Sequence, residues 1–174
     1  FQKKELYSGS QDVCFLKGKK ISDVLNKKFK NNPGPIYNLT GREIGQHPGI
    51  QFFTIGQRSG LRIKAKNPRQ KPLYVVKIVA SKNTIIVGEE KDLYKKDLLA
   101  REVSWILGKE SKLPFKIGAK IRYRHKASLA TIYHLKSNIH HLKFDSPQRA
   151  PAPGQHVVFY KKNLLLGGGI IVKD

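Results

Sequence analysis

Cys14 is the residue of this chain best suited to covalent chemistry, because it is the only cysteine among 174 residues. It lies in the run Ser10–Phe15, which reads Ser-Gln-Asp-Val-Cys-Phe, and three lysines follow closely, at Lys17, Lys19 and Lys20. A thiol reacts as its thiolate, and neighbouring cations lower its pKa from a free value of about 8.5 toward neutrality. A lone cysteine among apolar neighbours is also typical of a small buried residue. The residues alone therefore leave both a reactive and a structural role open.

A second group of polar side chains lies near the middle of the chain, where Gly56 and Gly60 bracket Gln57 and Arg58. Two glycines around two planar hydrogen-bonding side chains suit a loop that brings backbone and side chains close to a ligand. A glycine-rich turn between strands needs no ligand, so a purely structural turn remains an alternative.

The histidines and the cysteine predict no metal site. His47, next to Pro48 and Gly49, is more typical of a turn than of a catalyst. No second His or Cys stands at ligand spacing from it, so no zinc site is expected.

The charge of the chain is strongly one-sided. There are 34 Lys and Arg residues against 12 Asp and Glu, which gives a formal net charge of +22 and a pI near 10.2. Such an excess creates a positive field that attracts polyanions and is screened by salt. Nucleic acid is the leading candidate partner.

The apolar segments do not favour a membrane partner. The most apolar stretch, Leu164–Val172, is interrupted by three glycines. No secretory leader opens the chain, so a cytoplasmic location is expected. One cysteine cannot close an internal disulfide, which fits a reducing compartment. Because the chain starts at Phe1 and contains no methionine, we expect a fragment of a longer protein.

The elements that must position these residues change character along the chain. A helix is predicted from Ile21, with Ser22 as its N-cap and an end at the Asn-Asn-Pro-Gly-Pro run at 31–35. Short strands and turns follow to residue 63. The polar, proline-containing segment 67–72 is predicted as a domain boundary.

The chain beyond that boundary is predicted to be all β. Leu73–Ala80 and Thr84–Gly88 predict a hairpin, whereas Leu93–Leu99 lacks a clear period and is predicted as a loop or short helical turn. Short strands then recur about every 8 to 12 residues, which is typical of a closed or sandwich-like all-β domain. Gly167–Gly169 predicts a bulge or a close approach of another backbone.

One predicted strand would carry its cations on a single side. Its apolar residues alternate from Ile117 to Tyr123, and the opposite side would present Lys120, Arg122, Arg124 and Lys126. Alternate residues of a strand face the same way, so this pattern predicts a phosphate-binding face.

Seven motifs carry a resemblance that extends over nearly the whole chain. They are, in order, the cysteine run at 10–15, Gly-Gln-His-Pro-Gly-Ile at 45–50, Thr-Ile-Gly-Gln-Arg-Ser-Gly-Leu at 54–61, Tyr-Val-Val at 74–76, Lys-Ile-Arg-Tyr-Arg at 120–124, Pro-Gly-Gln at 153–155 and Leu-Gly-Gly-Gly-Ile-Ile at 166–171. In this order they resemble the C-terminal half of the tRNA-specific 2-thiouridylase family.

The resemblance implies a mainly β fold with a small α+β part. Residues 1–18 would be the tail of an N-terminal α/β nucleotide-binding domain that is otherwise absent from this chain. Residues 19–68 would form a small central domain, and residues 69–174 a C-terminal β-barrel similar to a translation-factor barrel.

The activity that the resemblance implies is tRNA 2-thiolation, in which ATP activates the wobble uridine and sulfur replaces its 2-oxygen. ATP, with Mg, would be bound by the missing N-terminal domain. The implied partners are tRNA and a sulfur-donor relay or cysteine desulfurase. The fragment alone is expected to be inactive, because it has no phosphate-binding glycine loop for ATP.

The resemblance also assigns roles to single residues. Cys14 matches the family's second catalytic cysteine, which receives sulfur as a persulfide and delivers it to the activated base. The family's first cysteine, which can form a disulfide with the second, would lie in the missing part. Gly9 departs from the pattern, since family members commonly carry an acidic residue there. The candidate RNA ligands are Lys19, Lys20, Gln57, Arg58, Arg122 and Arg124.

Two other functions remain alternatives. One is a non-catalytic RNA-binding module with a structural cysteine, and the other is a sulfur-carrier or redox protein. A pyrophosphate-binding loop and another cysteine upstream would favour the enzyme over both.

Overall fold

The computed structural model describes residues 27–61, 63, 71–108, 112, 114–123, 125–135 and 138–173. Four of the candidate site residues lie outside this described part: Cys14, Lys19, Lys20 and Arg124. The start of the predicted helix also lies outside it, and only a final helical turn at Lys27 and Lys28 is described.

The first half of the described chain forms a four-stranded sheet. Its strands are β1 (Gly34–Asn38), β2 (Glu43–His47), β3 (Tyr74–Val79) and β4 (Thr84–Gly88), in the order β2-β1-β4-β3. β1 and β4 run parallel, and the other pairs are antiparallel. Four fully buried residues form the centre of its core: Ile36, Val75, Ile85 and Val87.

The second half forms a closed six-stranded barrel. Its strands are β5 (Tyr94–Trp105), β6 (Phe115–Lys120), β7 (Ser128–His134), β8 (Ile139–Arg149), β9 (His156–Lys161) and β10 (Leu164–Val172). All neighbours are antiparallel, in the closed order β10-β5-β8-β7-β6-β9. Alternate residues of each strand point inward, as a small barrel filled by side chains requires. The interior includes Leu98, Ala100, Ile117, Ala119, Ala130, Ile132, Leu142, Phe144, Val157 and Phe159.

These features confirm the mainly β class and the closed C-terminal barrel. Gly167 also behaves as predicted, because a Cβ there would overlap the carbonyl oxygen of Ser104. Strand β10 shifts register against β9 between Leu165 and Gly167, and against β5 between Gly168 and Ile170.

The hairpin β3–β4 belongs to the first sheet and not to the barrel, where a boundary after residue 68 would place it. Ile36 to Asn38 of β1 pair with Ile85 to Val87 of β4, so the hairpin completes the sheet begun by β1 and β2. The chain passes to the barrel through a 3₁₀ turn at Glu90–Leu93, closed by reciprocal hydrogen bonds between Glu89 and Asp92. A proline-containing break is equally compatible with a connection inside a domain, and here it lies between β2 and β3.

Two further local predictions are wrong. The segment 93–99, predicted as a loop or short turn, forms much of the twelve-residue strand β5. Bulges interrupt its pairing with both neighbours, and of its residues only Leu98 and Ala100 are buried, so the apolar alternation is too short to recognise. The strand predicted to continue to Tyr123 ends instead at Lys120, and the chain turns, with the His125 amide donating to the Arg122 carbonyl. Lys120 and Arg122 therefore do not lie in one row on a strand, and Arg124 is outside the described residues.

Candidate nucleic-acid interface

The loop 54–60 lies where the sheet meets the barrel. Its backbone makes two hydrogen bonds with β3: the Gly56 amide donates to the Val75 carbonyl at 2.8 Å, and the Val75 amide donates to the Gln57 carbonyl at 2.9 Å. Gly56 and Gly60 have φ angles of 86° and 79°, which glycine adopts without the steric cost of a Cβ. The loop is therefore fixed to the sheet by its backbone and shaped by its glycines.

Gln57 uses its side chain to close this loop. Its Oε1 accepts from the Thr54 amide at 3.1 Å, and its Nε2 donates to the Ser59 carbonyl at 2.9 Å. Arg58 follows on the exposed side of the loop. The structure thus separates two residues that the sequence predicted together: Gln57 positions the loop, and Arg58 faces solvent.

Arg122 approaches the loop from the barrel. Its Nη2 donates to the carbonyl of Ala150 at 3.0 Å, and the side chain is half-buried. Gly56 is close by, since a Cβ built on it would lie 2.8 Å from the Ala150 Cβ and 3.5 Å from the Arg122 Nη2. Two motifs far apart in the sequence therefore meet at one place.

Arg149 joins the same place from the end of β8. Its Nε donates to the Glu90 carboxylate at 3.1 Å, and its guanidinium carbon lies 5.4 Å from the centroid of the Tyr74 ring in the first sheet. That distance is typical of a cation–π contact. Sequence reasoning missed this residue, because it stands alone among uncharged neighbours and only the fold brings it to Arg122.

The pKa shifts show that the positive charges at this junction act on one another. Burial lowers the pKa of Arg122, and the charge of Arg149 lowers it further. The pKa of His125 is lowered by burial and then by Arg122, Arg149 and Lys120. Burial is the largest single cause of each shift, and the part that comes from neighbouring cations would be relieved by a bound anion. We call Lys120, Arg122, His125 and Arg149, together with Arg58 on the neighbouring loop, the cationic junction.

His47, predicted as a turn residue, is the last residue of β2 and is 2% exposed. Its Nε2 is 3.1 Å from the Asn83 carbonyl, and burial lowers its pKa despite this hydrogen bond. It packs against the ring of Phe53, so its role is in the core of the sheet.

Neither a metal cluster nor a membrane helix is found in the part of the chain that the structure describes. There, no three His, Cys, Asp or Glu side chains come together in a way that could hold a metal ion. None of the described helical segments has the length and apolar character needed to cross a membrane.

A four-stranded sheet, a closed barrel and a cationic junction between them define a two-part β protein with a positively charged surface where the parts meet. Two family models match the chain: a tRNA methyl transferase PRC-barrel domain at residues 22–89 and an aminomethyltransferase beta-barrel domain at residues 95–171. The two matches meet between Glu89 and Lys95, where the structure passes from sheet to barrel.

Curated relatives match the chain over nearly its whole length. The tRNA-specific 2-thiouridylase MnmA of Halothermothrix orenii is 40% identical over 167 residues, which are 95% of this chain and 46% of the relative. The proteins of the same name from Acetivibrio thermocellus and Legionella pneumophila are 41% and 38% identical, over 93% of this chain and 45% and 46% of their own lengths. The chain belongs to the tRNA-specific 2-thiouridylase family and corresponds to its C-terminal region. It spans about half the length of the curated relatives it matches.

Proposed function

We propose that this chain is the tRNA-holding region of an enzyme that replaces the 2-oxygen of the wobble uridine of tRNA with sulfur. The observation that carries the proposal is the cationic junction, where the loop around Arg58 and the turn around Arg122 meet although they lie in different domains. Phosphate contacts from such a surface give most of the affinity of a protein for RNA and fix its orientation. The names of the relatives support tRNA as that RNA.

Holding the tRNA firmly has a chemical purpose. A uridine in an anticodon loop must leave its stack to reach a catalytic thiol, and unstacking costs a few kcal/mol. Contacts between the cationic junction and phosphates elsewhere on the tRNA would offset that cost. Lys19, Lys20 and Arg124 are proposed as further phosphate ligands on the grounds of their charge and motif positions.

Cys14 is the proposed sulfur carrier. In this mechanism a donor loads it as a persulfide, and the terminal sulfur attacks C2 of a uridine whose 2-oxygen has been adenylated with ATP. The new C2–S bond replaces the C2–O bond, and AMP leaves. A second cysteine then attacks the Cys14 sulfur, which releases 2-thiouridine and leaves a disulfide. ATP and Mg would be held by the part of the enzyme that precedes this chain, and a cysteine desulfurase or relay protein would supply the sulfur.

The role of the junction is tested by Arg58→Ala in the complete enzyme. Losing one phosphate contact should weaken tRNA binding and reduce the slope of log K against log salt by about one. Lys82→Ala is the matched control, because Lys82 is also exposed but lies at the far end of β3 from Tyr74. Equal affinities and salt slopes in the two variants would show that the loop is not part of the tRNA interface.

The role of Cys14 is tested by Cys14→Ser in the complete enzyme. The variant should lose 2-thiolation entirely but still adenylate tRNA, because a hydroxyl cannot carry a persulfide. Mass spectrometry of the tRNA nucleosides and of released AMP measures both steps. Full 2-thiolation by the variant would instead support a non-catalytic RNA-binding region with a structural cysteine.

A further inference from the structure

An open groove lies on the barrel beside the cationic junction. It has a volume of about 590 Å³, which is within the range of small-molecule sites, and it runs between the turn after β6 and strand β9. Its walls include the polar and aromatic side chains of Lys120, Arg122, Tyr123, Gln155, His156 and Tyr160. Arg122 belongs to both the groove and the cationic junction, so the two surfaces are continuous.

Tyr123 is the most exposed aromatic side chain in the described part of the groove. It is 67% exposed, and the Lys120 ammonium lies 5.5 Å from the centroid of its ring. A single exposed aromatic residue is common on protein surfaces and needs no special function. Here, however, the ring stands beside the Lys120 ammonium, and Arg122 and a second tyrosine, Tyr160, line the same groove.

This combination matches the chemistry of a nucleotide. A nucleobase stacks on an aromatic ring, its phosphate pairs with Lys or Arg, and its edge hydrogen-bonds to polar groups. Gln155 and His156 provide such polar groups on the groove wall. The groove is open, so a nucleotide inside a longer strand can enter and leave it, which favours RNA over a free nucleotide.

We propose that this groove binds one unstacked nucleotide of the tRNA, with its base on Tyr123 and its phosphate on Lys120 and Arg122. The base must be unpaired, because the faces of paired bases are covered by their neighbours in a helix. The inference rests on the proposed function, because it takes the bound RNA to be tRNA. It adds a site, on the barrel, for a nucleotide recognised by stacking.

The test compares Tyr123→Leu and Tyr123→Phe in the complete enzyme, with Tyr133→Leu as the matched control. Tyr133 is near the end of β7 that is remote from the 121–125 turn, and it stacks on His141. Tyr123→Leu should lower tRNA affinity on the order of tenfold, because base–aromatic stacking is lost. Tyr123→Phe keeps a ring and should bind nearly as the unchanged protein does.

Two further measurements separate stacking from charge. Tyr123→Leu should leave the salt slope unchanged, whereas Lys120→Ala should reduce it by about one. Tyr123→Leu should also leave the affinity for a fully double-stranded RNA unchanged. If Tyr123→Leu weakens duplex binding as much as tRNA binding, or affects tRNA no more than Tyr133→Leu does, the inference is overturned. The proposed function would survive either result, and it fails separately if the unchanged enzyme does not bind tRNA.

Discussion

Arg122 has a structural role, and the proposed function adds a binding role. Its hydrogen bond to the Ala150 carbonyl ties the turn after β6 to the end of β8, beside Gly56 of the loop, while its charge contributes to the cationic junction. Replacing it with alanine would leave a carbonyl without its donor and would remove a charge at the same time. Arg58, which is exposed, gives the clearer test of binding.

We expect His125 to make binding at the junction depend on pH. In the free protein its pKa is lowered by burial and by the cations Arg122, Arg149 and Lys120, so near pH 6.5 it binds a proton less readily than an ordinary histidine. A bound phosphate adds negative charge and raises that pKa again. Binding of tRNA should therefore take up a proton, and affinity should rise as the pH falls from about 7.5 to 5.5.

The check is tRNA affinity measured across that pH range. His125→Asn should flatten the dependence, while His134→Asn, at the end of β7 remote from the 121–125 turn, should preserve it. A profile that is the same in both variants would contradict proton uptake by His125.

Some residues of the candidate site could be selected from the sequence and others could not. Arg58 and Arg122 stand in motifs that are rich in glycine or in cations, so charge and spacing were enough to select them. Arg149 and Tyr74 contact each other from different domains, and nothing in their local sequence indicates it. Gln57 was selected as a ligand for its planar amide, but the structure uses that amide to close the loop.

The loop 54–60 is shaped by Gly56, where a side chain would be strained and would also meet the barrel. Gly56 and Gly154 both have φ of 86°, but only Gly56 faces an obstacle, the Cβ of Ala150; no atom lies within 4 Å of a Cβ on Gly154. Gly154→Ala should cost about 1–2 kcal/mol of stability, because a left-handed backbone is strained for an L-residue. Gly56→Ala should cost more, because the loop must also move away from the barrel.

Urea unfolding of the two variants measures this difference directly. Gly56→Ala should also weaken tRNA binding, since displacing the loop displaces Arg58. Equal losses of stability in the two alanine variants would show that the clash of the new Cβ at position 56 with Ala150 does not lower stability.

The strands differ in how clearly the sequence predicts them. In β6 to β9 buried positions alternate with half-buried or exposed ones over most of each strand, because one side fills the barrel and the other faces water. β5 lacks that alternation, since bulges shift its register and its ends are exposed. Strand identity was therefore predictable where the pairing is regular and failed where it is bulged.

For the whole molecule, composition and strand spacing were enough to predict a basic protein with a closed or sandwich-like all-β part, and the family resemblance selected the barrel. The division of strands between the two parts was harder to predict. β1 and β4 are neighbours in space but are separated by β2, the loop 54–60 and β3 in sequence. Local propensity indicates that a segment forms a strand, but not which strand it pairs with. The hairpin β3–β4 was therefore predicted as part of the barrel, whereas it belongs to the first sheet.

The pairing of the loop with β3 also covers part of an edge of the first sheet. β3 is the outermost strand of its sheet, and an edge strand with free amide and carbonyl groups is a template on which other chains can add. At Val75 the loop occupies those groups with its own backbone. The seven-residue loop that carries Arg58 thus covers this edge at Val75, and a substitution that dislodges it should make the protein more prone to aggregate as well as weaken the proposed tRNA binding.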